Sequence, residues 1–274
     1  MFLTIQIVNY NSRGNLMTCL QSIQKNVHGI ENAQIVVVNN DKEELGNFLD
    51  GFKVEIIEKK ENIGFGKAHN LGFKKSKGKY ILFLNPDTKL FPGTVEKIME
   101  VFSADEKIGI VGPIHVEDGR ISDEEHFGFR KTPLSTIRTK IFREKEKSDR
   151  QKYFETDWVS GGAMMIRRSL FSELGGFDEN YFMYFEDVDL CLQAKKRGWK
   201  IAVCPEAKIF HMGFSGEQHR GHFVTLPVIL ALDVWEHAYI LDCGAQGKGK
   251  YIDAFFKNLN WGVMEKRFDK ASSQ

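Results

Sequence analysis

Three carboxylates lie within four positions of one another in this chain, at Glu186, Asp187 and Asp189. They directly follow a segment rich in aromatic side chains, residues 181–185. Loss of water beside aromatic rings and repulsion between like charges both make a carboxylate more basic, as a general base requires. Acidic residues in the first turn of a helix also stabilise the helix dipole, which is a structural role. The i, i+3 spacing puts Glu186 and Asp189 on one helical face and Asp187 on another, which leaves room for one carboxylate to work in a cleft while the other two hold the helix.

Polar side chains also follow four predicted strands. These segments are Asn9-Tyr10-Asn11, Asn39-Asn40-Asp41, Asn62-Ile63-Gly64 and Asn85-Pro86-Asp87. Asn is common in turns because it tolerates left-handed backbone, so a turn explains any one of these segments. In an open parallel sheet, however, ligands bind beyond the carboxyl ends of the strands. Four polar strand ends at one edge of a sheet therefore predict a binding site there.

Two common nucleotide-binding motifs are absent from these segments. The turn after the first strand has a single glycine, Gly14, where a dinucleotide site needs G-x-G-x-x-G. The segment Gly64-Phe65-Gly66-Lys67 resembles part of a phosphate-binding P-loop, but position 61 is Glu and position 68 is Ala. The spacing therefore disfavours both a Rossmann dinucleotide site and a P-loop.

The surrounding chain alternates strands with helix-length segments. Apolar runs predict strands near residues 2–8, 34–38, 54–57, 80–84 and 108–111, with helices near 16–23 and 66–75. Such βαβ units predict an α/β fold with a mostly parallel central sheet flanked by helices. Further along, we expect a strand at 158–166 interrupted by Gly161-Gly162, a helix at 186–197, short strands at 201–203 and 208–210, and C-terminal helices near 226–241 and 252–259.

Composition is that of a globular protein, with 42% hydrophobic and 27% charged residues in a chain of 274. The 38 basic residues nearly balance the 37 acidic ones, which argues against nucleic acid as a partner. Four cysteines occur without a C-x-x-C pair, a pattern that suits a reducing cytoplasm. No signal peptide or membrane-spanning segment is predicted.

Several motifs in their order along the chain resemble bacterial family 2 glycosyltransferases of the GT-A type, and most of all the rhamnosyltransferase-like branch. The resemblance covers residues 2–215. The motifs are Ile7-Val8-Asn9-Tyr10-Asn11, Asn39-Asn40, Asn62 through Gly72, Leu82 through Asp87, Trp158 through Ala163, Gly175 through Glu179, Glu186 through Leu190, and His211 through Ser215. Each motif is weak alone, and their joint order and spacing carry the resemblance.

The resemblance implies a divalent cation, Mg²⁺ or Mn²⁺, on the donor diphosphate. Its D-x-D motif corresponds here to Asn85-Pro86-Asp87, so Asp87 is the expected carboxylate ligand, and His211 matches a position that supplies a further ligand in some relatives. Asp187 corresponds to the catalytic base. A structural role for His211 is the alternative.

The same resemblance assigns the remaining site residues to two groups. The donor-binding residues are Asn9, Tyr10, Asn39, Gly64, Gly66, His69, Asn70 and Asn85, and the acceptor-binding residues are Trp158, Gly161, Gly162 and Glu186. Asn39 replaces an Asp that usually contacts the nucleoside, and His69 replaces an Arg found in many relatives. A buried core position is an equally good interpretation of Trp158.

The implied activity is inverting transfer of a sugar, with dTDP-rhamnose as the first donor, to a hydroxyl of a lipid-linked cell-surface glycan. The alternatives are a UDP-hexose or UDP-N-acetylhexosamine transferase and a noncatalytic nucleotide-sugar or glycan-binding module. We expect a catalytic domain at 1–215, divided into a nucleotide-sugar half (1–113) and an acceptor half (114–215), with a helical extension at 216–274. The basic stretch 138–152 is typical of a solvated or disordered loop. The second hypothesis is an arm of a cytoplasmic protein that contacts an anionic acceptor, such as a lipid diphosphate, or the inner face of the plasma membrane.

Overall fold

A computed structural model describes residues 2–117, 120–121, 126–128 and 152–211 of the chain. Its first half is a parallel sheet with strand order β3-β2-β1-β4. The elements are β1 (Leu3–Asn9), α1 (Arg13–Asn26), β2 (Gln34–Asn39), β3 (Glu55–Glu58), α2 (Phe65–Phe73) and β4 (Tyr80–Leu84), with short 3-10 turns at Ile30–Asn32 and Gly46–Leu49. The carboxyl ends of the four strands therefore meet at one edge, as the sequence predicts.

The second half extends the same sheet with strands of mixed direction and adds a separate two-stranded antiparallel sheet. Its elements are β5 (Thr88–Leu90), α3 (Thr94–Ala104), β6 (Ile108–Glu117), β7 (Arg120–Ile121), β8 (Phe127–Gly128), β9 (Phe154–Thr156), β10 (Trp158–Val159), β11 (Ala163–Arg167), α4 (Arg168–Leu174), α5 (Glu186–Lys196) and β12 (Lys200–His211). β11 lies antiparallel between β4 and β6, and β12 runs parallel to β6 and antiparallel to β5. β8 and β10 form the separate sheet. The α/β fold with a central sheet and flanking helices is confirmed, and the all-parallel part of the sheet is confined to β1–β4.

This mixed order brings distant segments to the edge where β4 ends. Ala163, the first residue of β11, pairs with Leu84, the last residue of β4. The end of β12 pairs with β5, His211 opposite Thr88. Because β11 is antiparallel to β4, the turn before it lies beside the turn after β4. The topology thus places residues 85–87, 160–162 and 211 together.

Buried apolar side chains lie on both faces of the sheet. In β4, Tyr80, Leu82 and Leu84 pack into one hydrophobic cluster, and Ile81 and Phe83 pack into the cluster on the opposite face. A strand covered on both sides is a continuous apolar run, which is why β4 is readable from the sequence. Phe83 is fully buried in contact with Phe171 and Phe177. This packing holds the strand that ends at the site.

Two details of the predicted elements are corrected. The short strands expected at 201–203 and 208–210 form one strand, β12, with a register shift between Cys204 and Lys208. The expected strand 158–166 is two strands, β10 and β11, separated at the predicted glycine pair. Residues 138–151 and the predicted C-terminal helices lie outside the described residues, and the domain division stays a prediction. Within the described ranges, no helix has the length and apolar character needed to cross a bilayer.

Candidate active site

Asp87, His211 and Asn85 lie together at the carboxyl edge of the sheet. His211 Nε2 is 3.3 Å from Asp87 Oδ1 and 3.5 Å from the side-chain nitrogen of Asn85. The turn before β11 closes this group, since Asn85 N–H donates to the Gly162 carbonyl at 2.9 Å. A Cβ on Gly162 would lie 3.4 Å from Asn85 Nδ2 and 3.6 Å from His211 Nε2. Gly162 therefore keeps the space beside these side chains open.

Asp187 is held against the same turn by Gly161, the residue before Gly162. Gly161 N–H donates to Asp187 Oδ2 at 2.7 Å, and Val188 N–H donates to Asp187 Oδ1 at 2.7 Å. Burial raises the pKa of Asp187, while these two N–H groups act in the opposite direction. Gly161 thus contacts Asp187 while Gly162 lies beside Asn85 and His211. Two consecutive residues, Gly161 and Gly162, therefore connect the predicted base Asp187 to the predicted metal ligand His211.

Glu186 faces away from this turn, as the helical spacing predicts. Its side chain packs beneath α2, where its Cγ would lie 3.6 Å from a Cβ on Gly66. Only 5% of the residue is exposed, and among the described residues no group hydrogen-bonds Oε2. Burial, and then repulsion from Asp187, raise the pKa of Glu186 to about 8. This position makes Glu186 a neighbour of Asp187 below the surface, and its contact with an acceptor stays a prediction.

Glu186→Gln is expected to make the protein more stable than the wild type at pH 9. The folded chain holds a proton on Glu186 up to about pH 8, whereas the ordinary pKa is 4.5, so wild-type stability falls as the pH rises through that window. A glutamine at position 186 does not ionise, so the variant does not lose stability as the pH rises through this window. Each pKa unit corresponds to about 1.4 kcal/mol, so the difference in unfolding free energy reaches a few kcal/mol at pH 9 and nearly vanishes at pH 5. Urea unfolding at the two pH values measures it, and identical pH dependence of both proteins would contradict it.

The segment before α5 is joined to the amino end of α2. Phe65 N–H donates to the Phe182 carbonyl at 2.9 Å. Gly64 has a φ of +90°, and a Cβ there would lie 2.6 Å from the same carbonyl oxygen. Only glycine fits such a backbone and such a close approach. The predicted donor-binding residue Gly64 therefore connects the donor half of the site to the segment that carries Asp187.

Two other residues of the 64–72 motif are engaged inside the protein. His69 is fully buried, with Nδ1 2.9 Å from Gln6 Nε2 and its ring against Phe65 and Phe83, and burial lowers its pKa to about 3. Asn70 accepts the Phe177 N–H at 2.8 Å and donates to the Phe177 carbonyl at 2.8 Å. Both side chains hydrogen-bond to neighbouring segments of the fold, and their contact with a donor stays a prediction.

The ends of β1 and β2 form a buried amide pair. Asn9 Nδ2 donates to Asn39 Oδ1 at 2.8 Å, and Asn39 Nδ2 donates to Glu58 Oε2 at 2.6 Å. Asn9 and Asn39 are fully buried, whereas Tyr10 is 52% exposed at the same strand end. The sequence interpretation missed Glu58, which supplies a negative charge to Asn39. Its position could have indicated it, because Glu58 is the last residue of β3 and the carboxyl end of each strand is a candidate binding position.

Trp158 packs partly in the core. It lies in β10, paired with Gly128 of β8, and a Cβ on Gly128 would lie 2.7 Å from the indole Nε1. Its ring packs against the hydrophobic cluster that contains Phe171. The core interpretation describes this buried part of the ring, and contact of its exposed part with an acceptor stays a prediction.

Comparison with known families decides what kind of site this is. A family model described as glycosyl transferase family 2 matches residues 4–175, more than half of the chain. The chain belongs to this family. The model for the C-terminal domain of iron/manganese superoxide dismutases also matches, over residues 172–267. In the described part of that span, β12 pairs with β6 of the glycosyltransferase sheet, and α5 carries Asp187.

Curated relatives of this family 2 chain include rhamnosyltransferases. The chain is 32% identical over 151 residues to the N-acetylglucosaminyl-diphospho-decaprenol L-rhamnosyltransferase of Mycobacterium tuberculosis, covering 48% of the chain and 46% of the relative. It is 26% identical over 215 residues to the dTDP-rhamnosyl transferase RfbF of Shigella flexneri, covering 75% and 67%. The chain spans about half to two thirds of the length of these relatives.

Solved structures confirm the fold. The chain resembles GalNAc-T7, solved with UDP, GalNAc and Mn²⁺, with a TM-score of 0.61 at 19% identity, over 77% of the chain and 43% of that protein. It also resembles the mannosyltransferase PcManGT from Pyrobaculum calidifontis, solved with GDP-Man and Mn²⁺, with a TM-score of 0.55 at 16% identity, over 76% and 56%. The described fold of this family 2 chain is therefore the GT-A fold.

The residues at the edge of this family 2 fold fit a divalent cation. Adjacent ligands in an octahedral shell with bonds of about 2.1 Å lie about 3 Å apart, and Asp87 Oδ1 and His211 Nε2 are 3.3 Å apart. Among the described residues no conventional hydrogen bond reaches the buried Asp87 Oδ1. The described ranges hold no group of three or more His, Cys, Asp or Glu side chains arranged for a metal.

Proposed function

We propose that this chain transfers a sugar from a nucleoside diphosphate sugar to a hydroxyl of a carbohydrate acceptor, with inversion at the anomeric carbon. The observation that carries the proposal is the turn at Gly161-Gly162, which contacts Asp187 on one side and lies beside Asn85 and His211 on the other. A proton acceptor and a place for a diphosphate are thus neighbours at the strand ends. Membership of glycosyl transferase family 2 supports this activity.

Asp87 and His211 are the residues that would hold the divalent cation. When bound, the cation supplies positive charge to the diphosphate that leaves the sugar. Asn85 lies within reach of His211 and is fixed by its backbone bond to Gly162. These three residues bind and orient the diphosphate end of the donor. Tyr10, exposed beyond β1, is placed to contact the nucleoside end.

Asp187 takes the proton of the acceptor hydroxyl. The hydroxyl oxygen forms a bond to the anomeric carbon as the bond from that carbon to the diphosphate oxygen breaks, so a single displacement inverts the carbon. Backbone N–H groups fix both carboxylate oxygens of Asp187, which orients the base before the substrate arrives. Its raised pKa brings it closer to the operating pH, where a base is most effective.

A dTDP-rhamnose donor and a lipid-linked acceptor are the finer part of the proposal. The names of the two rhamnosyltransferase relatives support the donor, and the decaprenol-linked substrate in the name of one of them supports the acceptor. A hexosyltransferase is the second candidate, supported by 26% identity over 219 residues to the low-salt glycan biosynthesis hexosyltransferase Agl10 of Haloferax volcanii. With a lipid-linked acceptor, the enzyme works at the inner face of the plasma membrane, and the basic stretch 138–152 supports contact with anionic lipid.

A thermal-shift panel of nucleoside diphosphate sugars tests the proposed donor. We expect dTDP-rhamnose with Mn²⁺ to raise the melting temperature by several degrees, because a ligand at 100 times its Kd stabilises the folded state by about 2.7 kcal/mol. UDP-glucose and UDP-N-acetylglucosamine are the comparison donors, and each is repeated with EDTA. A larger increase in melting temperature with a UDP-sugar would indicate that this sugar nucleotide, and not dTDP-rhamnose, is the donor. No shift with any donor and metal would contradict the proposed function.

A further inference from the structure

Phe185 stands exposed at the start of α5 in an unusual backbone conformation. Among the described residues four non-glycine residues have positive φ, and two of them are consecutive aromatics, Tyr184 at +67° and Phe185 at +68°. The Phe185 side chain is 59% exposed, more than the other large hydrophobic side chains on the described surface. Bulky side chains adopt this left-handed region only at a cost of about 1–2 kcal/mol each. Because the Phe185 ring is mostly exposed, its burial contributes little stabilisation to offset this backbone strain.

Contacts around the segment hold this conformation in place. Three residues earlier, the Phe182 carbonyl accepts the Phe65 N–H at 2.9 Å, and on the other side Asp189 N–H donates to the Phe185 carbonyl at 2.8 Å. Both bonds involve main-chain atoms, so neither needs a phenylalanine at position 185. Strained residues that the surroundings hold in place concentrate at ligand-binding and catalytic sites. The ring therefore has a use other than stability.

The position of Phe185 relative to Asp187 indicates that use. Two residues separate Cα atoms by at most about 7 Å, so Phe185 is the exposed aromatic residue nearest along the chain to the proposed base. Glu186, between them, turns inward beneath α2. An acceptor whose hydroxyl reaches Asp187 has the surface around residue 185 as its nearest exposed aromatic surface along the chain.

We propose that the Phe185 ring is the platform on which the acceptor sugar stacks, and that it determines which acceptor is used. The inference rests on the proposed function and deepens it. An aromatic ring presents a flat apolar face, which matches the C–H face of a pyranose. A sugar residue, rather than the apolar chain of a lipid, is the proposed occupant, because the hydroxyl at Asp187 belongs to a sugar.

Acceptor kinetics of Phe185 variants test this assignment. We expect Phe185→Ala to raise the acceptor KM about three- to tenfold, with donor Kd and kcat changed less than twofold, and Phe185→Trp to restore the wild-type KM. Phe185→Leu keeps an apolar side chain without a flat ring, so it should behave as the alanine variant does. A wild-type KM in Phe185→Leu would indicate a lipid chain on this residue and would overturn the proposal, as would an unchanged KM in Phe185→Ala.

Phe2→Ala is the matched control. Phe2 is a similarly exposed phenylalanine, at 54%, but it precedes β1 and so lies at the opposite edge of the sheet. Its removal should leave the acceptor KM unchanged. An equal rise in both variants would show a general effect of removing a surface ring and would overturn the assignment.

Two further measurements separate this inference from the activity on which it rests. Phe185→Gly should raise the melting temperature, because glycine takes this backbone without strain; a lower value would show that the ring stabilises the fold and would count against a binding role. Fluorescence titration of Phe185→Trp with acceptor glycans needs no turnover. If the wild type transfers no sugar and this titration still saturates, the proposed function fails and the platform stands. If the wild type is active and the titration is flat, the platform alone fails.

Discussion

Asp187→Asn is expected to lower kcat by about 10²- to 10⁴-fold at saturating donor and acceptor. Asparagine keeps the size of the side chain and an oxygen that can accept the Gly161 N–H, but its amide nitrogen cannot take a proton from the acceptor hydroxyl. That nitrogen also cannot accept the Val188 N–H, a loss of about 1 kcal/mol that a folded domain tolerates. Folding and donor binding should therefore be retained. Nucleoside diphosphate release measures turnover, and the donor-induced thermal shift measures binding. In the wild type, activity should fall as the pH drops through the raised pKa of Asp187.

Asp189→Asn is the matched control for this prediction. It removes the same charge from the same first turn of α5, but Asp189 shares neither the Gly161 contact nor the position beside that turn. Its kcat should stay within about threefold of the wild type. Equal losses in the two variants would indicate a helix-dipole effect, and turnover of Asp187→Asn within tenfold of the wild type would remove Asp187 as the base.

Asp87→Ala is expected to abolish the effect of Mn²⁺ on donor binding and to lower kcat at least 100-fold. The substitution leaves His211 as one protein ligand where two lie 3.3 Å apart. Loss even of a residue that merely supports a ligand costs about 10- to 100-fold in metal affinity, and loss of a ligand should cost no less. Mn²⁺ affinity by electron paramagnetic resonance with a nucleoside diphosphate present gives a readout that does not depend on turnover.

Asp50→Ala serves as the comparison for the charge change. Asp50 is an exposed aspartate after the 3-10 turn at Gly46–Leu49, and it has no part in the proposed site. It should bind Mn²⁺ and donor as the wild type does. If Asp87→Ala retained the wild-type Mn²⁺ affinity, the cation would have to be assigned to other residues.

The parallel half of the fold was predictable because its strands are buried on both faces. β2 and β4 are nearly continuous apolar runs, β1 is apolar apart from Thr4, Gln6 and its last residue, and the structure places each strand within about a residue of its predicted bounds. β6 was harder, since Gly112-Pro113 indicates a break after Val111. The strand continues to Glu117 because β12 pairs with it as far as Val116. Its pairing with β11 stops at Val111, so the missing N–H of Pro113 interrupts no bond to that neighbour. Only tertiary pairing decides such a case.

The helix α3 (Thr94–Ala104) is absent from the elements predicted from the sequence. Val95, Ile98, Val101 and Phe102 recur at helical spacing and are buried in the structure. The signal was therefore present in the sequence, because apolar residues at i, i+3 and i+7 indicate a helix face.

The sequence supplies candidate site residues but not the contacts between them. Polar strand ends, the acidic helix start and the family resemblance together make Asp87 and Asp187 candidates, and the antiparallel β11 then decides that the Gly161-Gly162 turn lies between them. Spacing along the chain carries no information about that neighbour. Nor does it show that His69 is fully buried or that the amide of Asn70 holds Phe177. Those roles depend on which side chains the fold brings opposite them.

Product analysis of sugar transfer tests the central claim most directly. The protein is incubated with the donor selected by thermal shift, Mn²⁺ and a carbohydrate acceptor, and the new glycosidic bond is examined by nuclear magnetic resonance for the wild type, Asp87→Ala and Asp187→Asn. We expect a product with inverted anomeric configuration from the wild type alone. Product with retained configuration, or equal product from all three proteins, would contradict a single displacement between Asp87 and Asp187.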